Sequence, residues 1–577
     1  MQAMPASEPP APAALSRVVP FTILEPPAVE PAGLHGRDLR NLGLIVLGFV
    51  AVLLVLPPQH EYPIIDDWIY YGSVQNQLTT GAFHMPDETQ ANLFGLTIWG
   101  TLWARVLGLS YTTLTYSTLA LALVGLLAFY AVARAVEVPP SGALLGTVLL
   151  GLNPLFLHLS YSFMTDVPFL ALLLLASYGY IRGLQSGRLG WLLVAGLFVG
   201  WAYVIRQFAV LVPAGFVAYL VLDAIRARRL PWREMLGILV VPLLAVAAWW
   251  LWTHDWPPTS QVVGANAHRD AFVMKEPWLR VTLLRSLAVL PLAALSTWVA
   301  FPLRWTRWWL VLLWGGVVAW SWPAIIGLQE LWIATLEDPG AITLGPLTVQ
   351  LPPQVYTFAG LGNMLRVGGI DFFEYTQQPL WTPDTWRWIF FLATVLGVLL
   401  LAKLSDGLLD GAWAALRGRT MTPRAGVYLA GLAVFVVSMA AAGEYYDRYL
   451  LGFLPFLLLF AVRGAATWGR WAWRYSIVAC ILWAGVSVLL KADAIDHDNA
   501  RWQAGNWFAA RGLPAHGGFD WDRTHGASEV YQFADTPIPG FRVEARFPYV
   551  SRLSGGETRY VYAQARDDQP PIPAAPP

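Results

Sequence analysis

The chain has 577 residues, of which 56% are hydrophobic and only 13% are charged, and its mean hydropathy is +0.50. Soluble domains carry about 25% charged residues, so this composition predicts an integral membrane protein. The 37 basic and 37 acidic residues give zero net charge, which excludes the broad basic field of a nucleic-acid-binding protein. The single cysteine, Cys480, excludes an intrachain disulfide and a multi-cysteine zinc site.

Apolar stretches long enough to span a bilayer recur along most of the chain. Residues 1–36 are rich in Pro and Ala and lack the order of a signal peptide, so we expect a disordered tail there. Spanning helices are predicted at 41–57, 112–133, 141–158, 167–183, 189–205, 208–225, 235–253, 281–301, 308–327, 388–402, 425–442, 449–462 and 471–490. The stretch 92–108 is short and holds Asn92 and Arg105, so we expect it to lie flat at the interface.

Basic residues set the orientation, because cytoplasmic loops of membrane proteins carry an excess of Lys and Arg. Arg37 and Arg40 precede the first span and place the amino terminus in the cytoplasm. The basic loop 226–233 falls on the same side only if 92–108 does not cross.

The predicted fold is therefore all-α and polytopic, with about thirteen transmembrane helices in the inner (plasma) membrane. We divide it into a cytoplasmic tail, a membrane domain and a small extracytoplasmic α+β domain, with bounds 1–36, 37–490 and 491–577. In the last of these, 541–549 and 558–565 have the composition of strands.

The first predicted outer loop, 58–111, carries the adjacent acids Asp66 and Asp67. No Lys or Arg lies between His60 and Trp103 to pair with them, and uncompensated acids at a membrane surface usually serve an ion, a proton or a substrate. Adjacent carboxylates repel each other, which raises one pKa and favours a general base. The alternative is that an Asp caps the following helix, and one Asp can cap while the other acts.

Two further polar sites are predicted on the same outer face. Asp166 lies where a span begins, and the Pro two residues later makes an ordinary helix-start signal a strong alternative that would by itself explain the position. Arg206 and Gln207 lie between two spans, where an Arg fork suits a phosphate. Snorkelling of an Arg at a helix end explains that position as well.

A third cluster, at 444–449, precedes the twelfth predicted span. Its Glu444, Tyr445 and Arg448 could hold a sugar or a phosphate by hydrogen bonds and stacking. The alternative is an aromatic belt with a local pair between neighbouring charges, which leaves Glu444 unexplained.

Taken in the order in which they occur along the chain, these motifs resemble those of the C-type (GT-C fold) membrane glycosyltransferases. The similar branch contains the aminoarabinose transferases of lipid A and the protein O-mannosyltransferases (glycosyltransferase family 39-like). The resemblance rests on the acidic pair of the first loop, the membrane-parallel stretch 92–108, the Met-Thr-Asp-x-Pro turn at 164–168 and the Arg-Tyr-Leu-Leu…Pro span at 448–455. It covers roughly residues 37–490, and the order of the short motifs carries it.

The resemblance implies a sugar on a polyprenyl phosphate as donor and an envelope lipid, glycan or protein as acceptor. Asp66 or Asp67 would act as base or orient the acceptor, with Asp166 as a second acid in the same cavity. We lean to Asp66 as base and Asp67 as cap or donor-side ligand, although the Asp-Asp pair, where the family has Asp-Glu, leaves this open. The departing phosphate needs a cation, for which the candidates are Arg206, Arg448 or a bound divalent metal ion. No other cofactor is predicted.

Three other functions stay open. A transporter or flippase of lipid-linked glycans would place its charges near the bilayer midplane, often in two repeated halves. The acids here lie at span ends instead, and the sequence shows no halves. A non-catalytic scaffold of envelope assembly would tolerate loss of the outer acids. A polymerase or ligase of envelope glycans would use the same donor and differ in its acceptor.

Overall fold

The computed structural model is mainly helical. It describes residues 36–64, 67–87, 89, 91–257, 307–332, 341–344, 347–350, parts of 392–409, 424–441, 451–463, 465, 468–511, 531–534, 537, 540–552 and 556–568. The helices are α1 Gly36–Val55, α2 Asp67–Thr80, α3 Phe94–Leu107, α4 Tyr111–Ala135, α5 Pro140–Gly151, α6 Pro154–Ser160, α7 Asp166–Ser186, α8 Leu189–Tyr203, α9 Leu211–Ala227, α10 Trp232–Thr253, α11 Trp309–Trp332, α12 Arg424–Ala441, α13 Leu454–Arg463 and α14 Arg470–Ala509.

Six helices of the described part are long and apolar enough to cross a membrane. They are α1, α4, α7, α9 together with the 3₁₀ turn before it, α10 and α14. Each coincides with a predicted span, which confirms a helical multi-pass membrane protein. The total of thirteen stays a prediction, because the span predicted at 281–301 lies outside the described residues.

The span predicted at 141–158 differs in shape, since it consists of α5 and α6 bent by 61° at a short break. Asn153 and Pro154 explain the break. The Asn153 side chain accepts a hydrogen bond from the Leu155 amide at 3.1 Å, as a cap does at the start of a new helix. Pro154 has no amide hydrogen to continue the preceding helix, so it fits only the first turn of the next one.

Helices α1 and α4 run antiparallel, because contacts join both of their ends. Asp38, at the start of α1, accepts hydrogen bonds from Tyr130 and Arg134 at the end of α4, each at 2.7 Å. At the other end, the backbone of His60, just beyond α1, bonds to the Thr112 hydroxyl at the start of α4. The chain between α1 and α4 therefore leaves and returns at the same end of the bundle.

Helix α3 lies within that connection and adds no crossing between α1 and α4. Its 14 residues span about 21 Å, which is shorter than a hydrocarbon core of about 30 Å. This geometry agrees with the prediction that 92–108 does not cross, and its orientation relative to the bilayer stays a prediction.

The carboxyl-terminal part pairs a sheet with the end of α14. Strands β3 Tyr531–Ala534, β4 Phe541–Ser551 and β5 Glu557–Arg566 form an antiparallel sheet in the order β3-β5-β4. A separate hairpin joins β1 Ala341–Leu344 to β2 Leu347–Gln350. The strand-like segments 541–549 and 558–565 lie inside β4 and β5, as predicted.

Helix α14 continues without a break across residue 490, where the membrane domain was predicted to end. Its last turns pack against β4 and β5 around Ala504, Phe508 and Val561. The predicted membrane domain and the carboxyl-terminal sheet thus share one 40-residue helix. That the sheet forms a separate extracytoplasmic domain stays a prediction.

Candidate functional site

Three connections distant in sequence meet at one end of the bundle. They are the first loop at Asp67, the turn 161–166 between α6 and α7, and the turn 204–206 after α8. We call this the acidic end, and we call the opposite end, where Asp38 meets Arg134, the basal end. The charge pattern of the sequence predicted that Asp67, Asp166 and Arg206 share one face of the membrane, and the helices place all three at the same end.

Asp67 is the first residue of α2, and its side chain is only 1% exposed. One carboxylate oxygen accepts a hydrogen bond from the Ile64 amide at 2.7 Å. The other oxygen lies 3.4 Å from the Phe163 amide in the turn before α7. Asp67 therefore folds the first loop back on itself and joins it to the turn that leads to Asp166.

Asp166 begins α7 and pairs with Arg206. The Arg206 Nη1 lies 3.2 Å from one oxygen of Asp166, and its Nε donates to the Thr165 hydroxyl at 2.6 Å. The second oxygen of Asp166 is buried and has no hydrogen-bond partner among the described residues. Arg206 is therefore directed into the protein toward Asp166, and one carboxylate oxygen beside it is left for another donor.

Helix α3 fixes the position of Arg206. The amides of Leu93 and Gly95 donate to the carbonyls of Ile205 and Val204, at 3.2 and 2.9 Å. Leu93 adopts φ = 59°, a left-handed conformation that costs a leucine free energy and that this backbone pairing holds in place. The stretch predicted to lie at the interface thus binds the turn that carries Arg206.

The same helix supports the turn that carries Asp166. A Cβ on Gly100 would lie 2.5 Å from the ring of Phe163 and 2.9 Å from Val74 of α2. Glycine is therefore required where α3 crosses between α2 and the turn. The Phe163 ring rests on α3, and the Phe163 amide faces Asp67.

A group of buried polar residues lies around His60 at the acidic end. His60 lies between the carbonyl of Tyr62, 2.8 Å from its Nδ1, and the hydroxyl of Thr115, 3.0 Å from its Nε2. Burial, with the nearby charge of Lys491, lowers the pKa of His60 to about 4, so the ring is neutral at physiological pH. Burial likewise raises the pKa of the Tyr62 hydroxyl well above its usual value.

Lys491 belongs to this group, although the sequence analysis did not identify it. It lies in α14 with no exposed surface, and its ammonium is 5.1 Å from the centre of the Tyr161 ring. The signal available in the sequence was the rarity of lysine. The chain has only three among its 37 basic residues, namely Lys275, Lys403 and Lys491. The acids that follow Lys491 in sequence concealed it, because they suggest a solvated tail.

Of the remaining predicted site residues, the described part of the chain includes Gln207 alone. Asp66, Glu444, Tyr445 and Arg448 lie outside the described residues. Gln207 begins the 3₁₀ turn after Arg206, and its side chain is exposed. Among the described residues, no group of three or more His, Cys, Asp or Glu is placed to hold a metal ion.

The acidic end combines a buried carboxylate oxygen that no described residue hydrogen-bonds with a cation held next to it. A carboxylate can take a proton from a hydroxyl, and a guanidinium can neutralise a phosphate that leaves. No nucleotide is needed for such chemistry if the leaving group is itself a lipid phosphate.

The chain matches a protein family over part of its length. The family described as dolichyl-phosphate-mannose-protein mannosyltransferase matches residues 97–252, which run from α3 to α10 and include Asp166 and Arg206. This match confirms the predicted resemblance to membrane glycosyltransferases over those residues. No curated protein matches the chain.

Solved structures of membrane glycosyltransferases are similar at a low level. ArnT from Cupriavidus metallidurans bound to undecaprenyl phosphate has 14% identity and a TM-score of 0.38, over 91% of this chain and 98% of that one. The oligosaccharyltransferase of Archaeoglobus fulgidus has 13% identity and a TM-score of 0.45, over 82% and 58%.

The Saccharomyces cerevisiae protein O-mannosyltransferase Pmt1–Pmt2 complex bound to the sugar donor has 12% identity and a TM-score of 0.34. The chain spans about a third of that protein's length, 35%, and 39% of this chain is covered. With TM-scores below 0.5, these likenesses say nothing of the chemistry of this chain.

Proposed function

We propose that this glycosyltransferase moves a sugar from a polyprenyl-phosphate donor to a hydroxyl of an envelope lipid, glycan or protein, and that the reaction takes place at the acidic end. The observation that carries the proposal is the convergence of Asp67, Asp166 and Arg206 on the turn 161–166. The family match over residues 97–252 supports the same class of reaction.

In the proposed step, a carboxylate takes the proton of the acceptor hydroxyl. At the same time, the oxygen of that hydroxyl attacks the anomeric carbon of the sugar. The bond from that carbon to the phosphate oxygen breaks, and polyprenyl phosphate leaves with the electron pair. Asp66 is the proposed base, because Asp67 is already bonded to the Ile64 amide and holds the loop. Asp166 is the second acid, and its oxygen that has no hydrogen bond among the described residues is available to orient the acceptor.

Arg206 is the proposed partner of the leaving phosphate. It is held by Thr165 and Asp166, so its planar fork is oriented before the donor arrives, and little side-chain entropy is lost on binding. Arg448, with Glu444 and Tyr445, stays a second candidate for donor binding from the late span, as does a divalent metal ion. We also propose that the acidic end is extracytoplasmic, as the positions of the basic residues predict.

A flippase or transporter is the second candidate function. It is less well supported, because Asp67, Asp166 and Arg206 lie at the ends of α2, α7 and α8 and not at the middle of a spanning helix. A polymerase or ligase of envelope glycans would use the same site with a different acceptor. Translocation of the donor lipid without release of polyprenyl phosphate would favour the flippase.

The test is a transfer assay on purified full-length protein in lipid nanodiscs, with a polyprenyl-phosphate sugar labelled in the sugar. We expect either Asp66→Asn or Asp67→Asn, but not both equally, to lose at least about 100-fold in rate, the lower range for a lost general base. The matched control is Asp255→Asn, an acid 85% exposed at the end of α10, which should keep full rate. Wild-type rates in both first-loop variants would overturn the proposal.

A further inference from the structure

Aromatic rings from three segments of the chain meet at the acidic end. Phe83 lies between α2 and α3, Phe94 begins α3, and the others lie at the end of α10 or just after it, namely Trp249, Trp252 and Trp256. The centre of the Phe94 ring is 5.2 Å from that of Phe83 and 4.8 Å from that of Trp252. Trp252 in turn lies 5.5 Å from Trp249 and 5.0 Å from Trp256. These four pairs meet edge to face, an arrangement in which aromatic rings attract each other, and we call the five rings the aromatic cluster.

The aromatic cluster is attached to the turn that carries Arg206. Phe94 lies between the two residues whose backbone amides donate to the carbonyls of the turn 204–206. Asn92, two residues before Phe94, donates through its side chain to the Tyr203 carbonyl at 2.7 Å. The backbone pairing that positions the Arg206 guanidinium therefore also positions the ring of Phe94.

The aromatic cluster is buried on one side and open on the other. Trp249 is only 9% exposed, whereas Trp252 is 44% exposed. Phe83 and Trp256 are half-buried. None of the five side chains carries a charge, so the open side suits a hydrocarbon chain and offers no cation to a phosphate.

A tryptophan at a membrane interface usually belongs to an aromatic belt, and Trp250 has the features of one. It lies on the same helix, is 61% exposed, and places its ring 5.2 Å from that of His254, outside the aromatic cluster. The aromatic cluster differs, because its rings come from distant parts of the chain and adjoin the proposed phosphate-binding arginine. A hydrocarbon chain gains little by leaving the bilayer for another apolar surface, so such a surface selects a lipid only if the head group is held nearby.

We propose that the aromatic cluster holds the polyprenyl chain of the donor while Arg206 holds its phosphate, and that Trp252 makes transfer selective for donors with a long chain. The proposal rests on the proposed function, in which Arg206 neutralises the phosphate of the donor lipid. It follows that the donor enters the acidic end from the bilayer beside the start of α3 and the end of α10.

The first experiment measures kcat and KM in nanodiscs for two donors, one with a long polyprenyl chain and one with a short prenyl chain. Trp252→Ala should raise KM for the long-chain donor roughly fivefold, because one large ring loses its van der Waals contacts with the chain, and should leave kcat and the short-chain KM unchanged. The matched control, Trp250→Ala, removes the same side chain from the same helix and should change neither KM. An unchanged long-chain KM in Trp252→Ala, an equal rise for both donors, or an equal effect of the control would overturn the proposal.

A second readout does not depend on activity. A benzophenone-bearing amino acid replaces Trp252, or Trp250 as the control, and the full chain is irradiated in nanodiscs that contain a labelled polyprenyl phosphate. We expect a crosslink to the polyprenyl chain from position 252 and not from position 250, and we expect excess unlabelled polyprenyl phosphate to abolish it. Equal crosslinking from both positions, as an aromatic belt would give, or a crosslink from position 252 to another part of the protein would overturn the proposal. If the wild type transfers no sugar, the proposed function fails, while the crosslink still decides whether the aromatic cluster binds the lipid.

Discussion

The basal end and the acidic end each hold a buried carboxylate beside an arginine, but they satisfy these charges differently. At the basal end, one oxygen of Asp38 takes two hydrogen bonds of 2.7 Å, and Arg134 also donates to the Val138 carbonyl. At the acidic end, the second oxygen of Asp166 has no such bond to any residue that the structure describes. Asn41 Oδ1 at the basal end also lacks a hydrogen bond within the described part of the chain, but it carries no charge.

This difference separates a structural ion pair from a candidate site. A buried carboxylate oxygen without a hydrogen bond costs free energy, which makes the Asp166 oxygen a candidate for binding a ligand. The basal pair ties α1 to α4. The acidic pair leaves an atom ready for a ligand.

The largest expected effect contrasts the two acids. Asp166→Asn should lower kcat for sugar transfer by about 100-fold or more, because the amide cannot take up a proton or balance Arg206. Asp38→Asn should instead lower the free energy of unfolding by about 3 kcal/mol, as expected when a buried pair loses one partner. Rates per folded molecule and thermal midpoints in detergent measure both. A loss of stability without a loss of rate in Asp166→Asn would show that the Asp166 pair is structural, like the Asp38 pair.

The second prediction contrasts the two arginines. Arg206→Lys should lower turnover by roughly tenfold, since an ammonium keeps the charge but loses the fork that reaches both Thr165 and Asp166. Arg134→Lys, with the same loss at the basal end, should change the thermal midpoint and leave the rate unaltered. The transfer assay on both variants checks this, and full activity of Arg206→Ala would return Arg206 to a snorkelling role.

The third prediction concerns the support of the acidic end by α3. Gly100→Val should push the Phe163 ring away, because even a single added carbon would lie 2.5 Å from it. We expect a loss of a few-fold in turnover together with a lower thermal midpoint. Gly43→Val in α1, where an added carbon meets nothing within 4 Å, is the control and should change neither. Unchanged turnover in Gly100→Val would show that α3 does not position the turn.

The smallest expected effect is on stability at acid pH. His60 has a pKa of about 4 in the folded protein and about 6.5 when unfolded. The stability that the neutral His60 ring contributes to folding is therefore complete above pH 6.5 and is lost as the pH falls toward 4. Thermal midpoints of wild type should therefore fall across this window more steeply than those of His60→Gln. Parallel curves would contradict the neutral, buried state of His60.

Much of the fold follows from the sequence, since the apolar stretches at α1, α4, α7, α9, α10 and α14 have the length and composition of spans. The sequence analysis missed the bend between α5 and α6, although Asn153-Pro154 signals it. Hydropathy alone does not detect a short break between two apolar helices. The continuous α14 was divided at residue 490 for the same reason, since polarity changes there and helix geometry does not.

The site was predictable in part. Basic residues indicated which loops share a face, and this brought Asp67, Asp166 and Arg206 to the same end. The contacts between them depend on the packing of α3 at Gly95 and Gly100, which no local pattern encodes. Lys491 was missed because acids surround it in sequence, whereas the ring that its ammonium faces, Tyr161, lies more than 300 residues earlier in the chain.

The most direct test of the acidic end as the transfer site is a cryo-EM structure of the full chain in nanodiscs with a polyprenyl phosphate. We expect the phosphate within hydrogen-bond distance of the Arg206 guanidinium, with Asp166 facing the space beside it. A phosphate held at the basal end, or at a site where neither Arg206 nor Asp166 takes part, would contradict the central claim.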